Sequence, residues 1–430
     1  MNIDRKALKE RMIAERREFH AHAESGFTEF WTATTVAGLL RDEGYDVRVG
    51  KELMSEEHRM GVPDAAILDA CLKRAIDEGA DASIAGAMAG GFTAVAGVMA
   101  NGPGPVVAFR FDIDAVDVDE SSDAGHPPRR EGFASTHAGS MHACGHDGHA
   151  AIGLALARLL AADRDSWSGT VKLIFQPAEE GVRGAKSVAE SGFLDDVDYI
   201  AAGHLGILAD GSGTFYSGVG GFLSTTKLDA RFTGRSAHAG MNPELGRNAL
   251  LAAASSALHL SGIPRHSSGA TRVNVGRIEG GSGRNVIPGS ALLVLETRGE
   301  TSALNEYMTA EAIRILEGVA AAYGVDVDVR RMGEAMGADS DPWLMELAAT
   351  CAAEAGYARV SGETLPLGGS EDYSFMMNRV VARGGKALYS VFGATITDAH
   401  HSPRFDFDED AMLPAAETLF LLAGRLLKAP

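Results

Sequence analysis

Apolar positions recur at spacings of three and four over residues 4–24 and again over 28–43, the signature of two helices with one buried face, and Gly44 closes the second. Four short apolar runs then read as buried strands: 105–111, 170–175, 198–202 and 388–392. Each gives way to side chains capable of chemistry. DID (112–114) follows the first run, QPAEE (176–180) the second, Gly203 and His204 the third, and AHHS (399–402) the fourth after a loop. Reactive residues gathered just past strand ends fit an open α/β sheet, whose sites form beyond the carboxyl ends of its strands. The apolar stretch 150–162 predicts a helix packed on that sheet.

The pattern changes between 224 and 331. Strand (227–232), helix (248–260), strand (271–279), strand (291–298), helix (302–323) and strand (325–329) follow in a β-α-β-β-α-β order, a split βαβ sandwich. A small domain is therefore expected at 224–333, inserted into a larger discontinuous domain formed by 1–223 and 334–430. The expected class is α/β: a mixed open sheet flanked by helices, with an inserted ferredoxin-like βαββαβ domain. Residues 50–104, rich in Ala, Gly and Met with an amphipathic helix at 64–78, are assigned no chemistry.

Length and composition agree with two domains, since 430 residues at 45% hydrophobic content exceed what one core usually supports. A formal net charge of −19 disfavours nucleic acid and anionic membrane as partners, and an acidic substrate needs a local cluster of positive groups. The charged N-terminal stretch lacks a secretory pattern, and no apolar run reaches membrane-spanning length. Three scattered cysteines, Cys71, Cys144 and Cys351, suit a reducing compartment. The expectation is a cytoplasmic protein.

HACGHDGH (142–149) concentrates potential metal ligands. Cys144 and His146, two apart, are expected on extended backbone with both side chains on one side; thiolate and imidazole are good ligands for zinc-like ions. Taken alone, the pair reads equally well as a buried thiol beside a histidine. Glu179 and Glu180 leave a strand as neighbours, so one carboxylate can bind a metal while the other faces the attacking water, a division suited to hydrolysis. An arbitrary Glu-Glu pair is more often a solvated turn. His204 and His401 are further ligand candidates, with His400 competing for the latter's role, and Asp114 can orient a ligand imidazole. In the inserted domain, His238 can donate to a developing oxyanion. Asn285 lies in a Gly-rich hairpin, and Arg298 can clamp a carboxylate. Gly368–Asp372 can border a pocket, although Glu371 reads first as part of a helix start.

In order along the chain, HACGHDGH, FQPAEEG, the GH after YIAA, SAHAG, GRNVIP, GSED and HHSPRFDFDE resemble the M20 metallopeptidases, specifically their amidohydrolase branch. RREFHAHAESGFTEFWTAT looks like that branch's opening, and the resemblance covers essentially the whole chain. The insertion after Val49, with AFRFDIDAVDV and TRVNVGRIEGGSGRNVIP, is similar to a narrower group acting on aroyl-glutamates. The resemblance implies two divalent metal ions, Mn²⁺ or Zn²⁺, on Cys144, His146, Glu180, His204 and His401. Cys144 would bridge them and Glu179 would be the general base. It also implies that the inserted domain is a lid and dimerisation domain, that His238 reaches the active site of a partner chain, and that Asn285 and Arg298 help hold the substrate carboxylate. The implied reaction is hydrolysis of an N-acyl amino acid, p-aminobenzoyl-glutamate before hippurate-like or auxin conjugates, by a homodimer or a heterodimer with a related subunit. The rival from another class is a non-catalytic metal-binding subunit.

Overall fold

Strands in the computed structural model, which describes residues 4–207 and 211–427, fall in chain order as β1 (Asp46–Val49), β2 (Val95–Asn101), β3 (Val106–Asp112), β4 (Gly169–Gln176), β5 (Tyr199–Leu205), β6 (Thr214–Gly220), β7 (Ser224–Thr233), β8 (Thr271–Gly280), β9 (Ser290–Gly299), β10 (Asp326–Ala335), β11 (Arg359–Pro366) and β12 (Lys386–Phe392). They make an eight-stranded sheet ordered β1-β2-β4-β3-β5-β12-β6-β11 and a four-stranded sheet ordered β10-β7-β9-β8. The chain divides into two compact units. One runs to Gly220 and resumes over Ala338–Leu367 and from Asp372 onward; the other comprises Gly221–Gly337 with Gly368–Glu371.

In the larger unit, β4, β3, β5 and β12 are parallel neighbours, with Asp112 opposite Gln176 and His204 opposite Val391. Their carboxyl ends therefore share one edge, and these are the four strands that the apolar runs predict. The sheet is mixed because β2 and β6 flank this group antiparallel. Against it packs the helix His146–Ala162, buried at every residue from His146 to Leu160 and, Arg158 aside, apolar beyond its first turn. Its Leu154 and Ile152 join Phe109, Phe111, Leu173 and Phe175 in one core, each large side chain contributing roughly 1.5–3 kcal/mol. The excursion between β1 and β2 carries the helix Ala65–Asp77, within a residue of the predicted span.

The smaller unit is an antiparallel sheet with the helices Ala249–Ser261 and Ser302–Tyr323 between its strands. Leu228, Phe232, Leu293 and Leu295 meet Ala252, Ala253, Met308 and Leu316 in a separate core. One sheet edge is β8, most of whose residues are exposed. Among the described residues, no helix is long and apolar enough to cross a membrane.

Candidate metal centre

Cys144 and His146 do not lie on extended backbone, contrary to the expectation from their spacing. Gly145 is the N-cap of the helix that begins at His146, and its φ of +86° is a left-handed conformation that favours glycine. The helix starts four residues before the apolar run because HDGH, polar in sequence, is buried as its first turn. The bend, not a strand's alternation, turns thiol and imidazole to one place.

Two loops and one strand deliver the other groups. Cys144 Sγ is 3.5 Å from His204 Nε2 and 3.5 Å from His400 Nδ1. His401 Nε2 is 3.2 Å from Glu180 Oε1, and its backbone N–H donates to Ala143 at 2.8 Å. The ligand atoms of Cys144, His146 and His204 lie within 4.8 Å of one another, as do those of Cys144, Glu180 and His401. Glu179 forms a third such group with His146 and Glu180. Cys144 thus belongs to two adjacent three-ligand groups. His400 also reaches the thiol, but His401 is the one grouped with Glu180.

Backbone partners set the tautomers. His146 Nδ1 faces the Asp114 carbonyl at 3.0 Å and its Oδ1 at 3.3 Å, so the proton of a neutral ring sits there and Nε2 is the nitrogen whose lone pair can face a metal. His204 Nδ1 donates to the Leu205 carbonyl at 2.8 Å, with the same result. His146 Nε2 is buried without a hydrogen-bond partner, an arrangement costly unless a ligand satisfies it. Asp114 also accepts the Glu180 N–H at 2.9 Å, fixing both groups from one carboxylate. Burial pushes the Cys144 thiol up, but the imidazoles gathered around it, those of His146, His400 and His401, outweigh that effect and bring the thiol down to about 7. A readily formed thiolate beside imidazole lone pairs and a carboxylate fits a divalent cation pair.

Strain collects here too. Among the described residues, the non-glycine residues at positive φ are Phe27, Ala178, Val182 and His401. Ala178 and Val182 bracket the Glu179-Glu180 pair. Such backbone costs on the order of 1–3 kcal/mol per residue and persists where surroundings enforce it. Hydrogen bonds from Arg183 and Gly184 to the Ala178 carbonyl, and from Val182 N–H to Glu179, do so. Nothing in the identities Ala and Val signals this conformation in advance.

Sequence reasoning passed over the remainder of HACGHDGH. His149 Nε2 accepts the Leu205 N–H at 3.0 Å and Nδ1 faces Asp112 Oδ2 at 3.2 Å, so both nitrogens are occupied and the ring is neutral. Asp147 holds the fully buried Arg16 at 2.7 Å and His20 at 2.8 Å. Arg16 also pairs with Asp406 at 2.6 Å and Glu409 at 3.2 Å. The signal available was the RREFH stretch, whose Arg16 and His20 stand one helical turn apart.

In the smaller unit, His238 is exposed, and its Nδ1 accepts from Gly240 and Met241 N–H at 3.2 and 3.1 Å, leaving the proton on Nε2. The Asn285 carbonyl accepts the Ala239 N–H at 2.9 Å, which stitches the two loops together. Arg298 instead forks onto Glu296 at 2.9 and 3.2 Å near the far end of β9. The hairpin carrying Asn285 precedes Ser290, the start of β9, and eight residues of strand between Ser290 and Arg298 span roughly 25 Å. Within one chain, Asn285 and Arg298 are not brought together.

Known proteins align with this architecture. The model for peptidase family M20/M25/M40 matches residues 108–425. The chain is 48% identical over 406 residues to a p-aminobenzoyl-glutamate hydrolase subunit of Escherichia coli K12, covering 94% of this chain and 93% of that one. It is 47% identical over 414 residues to indole-3-acetyl-aspartic acid hydrolase of Enterobacter agglomerans, covering 96% and 95%. The crystal structure of the Bacillus subtilis YXEP protein, described as a dinuclear metal binding peptidase, superposes with a TM-score of 0.65 at 27% identity over 98% of this chain and 99% of that one. With the fold, the ordered motifs and these matches in agreement, the chain belongs to peptidase family M20/M25/M40.

Proposed function

We propose that the chain is a metal-dependent amidohydrolase that splits an N-acyl amino acid, with p-aminobenzoyl-glutamate the foremost substrate, into p-aminobenzoate and glutamate. The observation that carries this reading is the pair of three-ligand groups sharing Cys144, with Glu179 beside them. Cys144, His146 and His204 would hold one ion; Cys144, Glu180 and His401 would hold the other. Thiolate and imidazole suit Zn²⁺, and the carboxylate admits Mn²⁺. When bound, the ions supply Lewis acidity that polarises the amide carbonyl and acidifies water.

Glu179 removes one proton from the attacking water and passes it to the leaving amide nitrogen. Oxygen joins the acyl carbon, the C–N bond breaks, and one water is consumed. His238 with its proton on Nε2 is a neutral donor for the oxyanion, a contribution commonly worth a few kcal/mol. Asn285 and Arg298 can grip one carboxylate only if they come from different chains, so the complete site draws on a second copy or a related subunit. The Escherichia coli relative is named as one subunit of its hydrolase, which supports assembly of this kind. The free edge β8 and the exposed Leu251 and Leu258 of the neighbouring helix offer the surface for it. The relative acting on indole-3-acetyl-aspartate favours auxin-type conjugates as the second substrate reading.

Product analysis tests the proposal: the purified chain with added Mn²⁺ or Zn²⁺ is expected to release p-aminobenzoate and glutamate. Glu179→Gln is expected to lower turnover at least about 100-fold with metal content retained. Full activity in that variant would refute the role of Glu179. Failure on every N-acyl amino acid tried would favour a non-catalytic subunit.

A further inference from the structure

The excursion between β1 and β2, unassigned from sequence, helps build a cavity of about 320 Å³ in the larger unit. One wall is the helix Ala65–Asp77, through Ile67, Cys71 and Arg74. The facing wall comes from the loops that hold the metal centre, a few residues away in each case: Asp117 beyond Asp114, Ser140 before Cys144, Arg183 beyond Glu180. The cavity thus shares its loops with the candidate metal centre, although no candidate ligand lines it.

Its charge is unusual for so acidic a chain. Arg183 donates from Nε to the Glu180 carbonyl at 2.9 Å and from Nη1 to the Gly61 carbonyl at 3.3 Å, which ties its guanidinium to the Glu179-Glu180 turn. A Cβ at Gly26 would collide with Arg183 Nη2, so glycine there is what lets the guanidinium lie flat against the wall. Arg74 Nε is buried with no hydrogen-bond partner. A carboxylate within ion-pair reach of Arg74 is Glu24, at 3.8 Å, but its oxygens already accept the N–H groups of Trp31 and Thr32 at 3.1 and 2.9 Å. Burial moreover pushes the Glu24 carboxyl up to about 7, which weakens it as a neutralising charge. Asp117 stands exposed and accepts from Ser25 Oγ at 2.5 Å. The unspent donors of Arg74 and Arg183, lining one cavity with Ile67 and Cys71, match a short methylene chain ending in a carboxylate.

We propose that Arg74 and Arg183 form a subsite for the side-chain carboxylate of the substrate's amino-acid half, so that the enzyme selects N-acyl derivatives of acidic amino acids. This inference rests on the amidohydrolase reading above and narrows its substrate class.

The test compares kcat/KM for p-aminobenzoyl-glutamate and its near-isosteric p-aminobenzoyl-glutamine in the parent, Arg74→Met, Arg74→Lys and Arg183→Met. The parent is expected to prefer glutamate by about tenfold or more, because the half-buried Arg74, whose buried Nε has no partner, pairs with a carboxylate and not with an amide. Arg74→Met should bring the ratio to within about twofold of unity through a raised KM for the glutamate substrate alone, and Arg74→Lys should keep part of the preference. A preference that survives both methionine variants, or an equal fall on both substrates, overturns the proposal. Calorimetric binding of glutarate separates this result from the hydrolytic reading. Binding about tenfold weaker in Arg74→Met supports the subsite even in a chain that hydrolyses neither compound, and equal binding in parent and variant refutes it.

Discussion

Cys144 and His146 on one side and Asp147 and His149 on the other belong to a single short stretch, yet their surroundings are opposite. The first pair converges with His204 on atoms that protein groups leave unsatisfied, such as the buried His146 Nε2. The second pair is saturated: Asp147 by Arg16, His20 and the Gly148 N–H, His149 by Asp112 and the Leu205 N–H. His146 and His149 even stack on one side of the helix, with ring centroids 5.2 Å apart, so it is their partners that separate the two sets. Unsatisfied atoms that converge with other ligand types are where a metal would bind; saturated ones hold that place still. The density of HACGHDGH comes from these two jobs occupying adjacent residues.

The contrast is broken most severely on the unsatisfied side. Cys144→Ala should cut hydrolysis by about three orders of magnitude, since one atom serves both ligand groups, while the urea midpoint of the metal-free chain moves by no more than about 1 kcal/mol. On the saturated side the expectation reverses. Arg16→Met leaves Asp147, Asp406 and Glu409 facing one another without their buried cation, and should cost about 3–5 kcal/mol in urea denaturation. Activity per folded molecule with saturating metal should fall far less than in Cys144→Ala.

A finer probe is His149→Gln. His149 holds the Leu205 N–H while the Leu205 carbonyl orients His204, so metal affinity should weaken by about 10- to 100-fold. Titration with a metal-sensitive dye reads this directly. Unchanged affinity would make His149 a packing residue only.

The smallest expected effect is in pH. Burial opposes the charge of His20, but Asp147 and Glu120 outweigh it and raise its pKa. Its contribution is therefore complete below the unfolded value near 6.5 and lost as pH rises through the raised folded value. For Glu120, burial works against the charge, but His20, the Ser135 N–H and His126 hold its pKa down. That contribution is present above the unfolded value near 4.3 and lost as pH falls through the depressed one. Both operate between about pH 4.5 and 6.5, where the denaturation midpoint should be highest, and Glu120→Gln should flatten the profile on both sides.

The parallel strands and the βαββαβ order were legible because uninterrupted apolar runs and regular helical spacing leave little ambiguity. β1, β2, β6 and β11 were not: β1 is only Asp46–Val49, β2 and β6 are interrupted by glycine, and β11 is a half-exposed edge without clean alternation. At the site, residue type and position past strand ends pointed to Glu180, His204 and the His400-His401 pair, the ordered motifs supplied the full ligand set as an expectation, and spacing misjudged how Cys144 and His146 come together. The Gly145 bend, the strained Ala178 and Val182, and the Arg16 network depend on contacts between residues far apart in the chain. So does the cavity wall contributed by residues 50–104, where no single motif declares itself.

Metal content of the native chain, measured by elemental analysis beside the Cys144→Ala variant, bears most directly on the shared-thiolate arrangement. Two divalent ions per parent chain are expected, with loss of both in the variant, because each group loses a ligand. One ion or none in the parent, or two retained after Cys144 is removed, would contradict it.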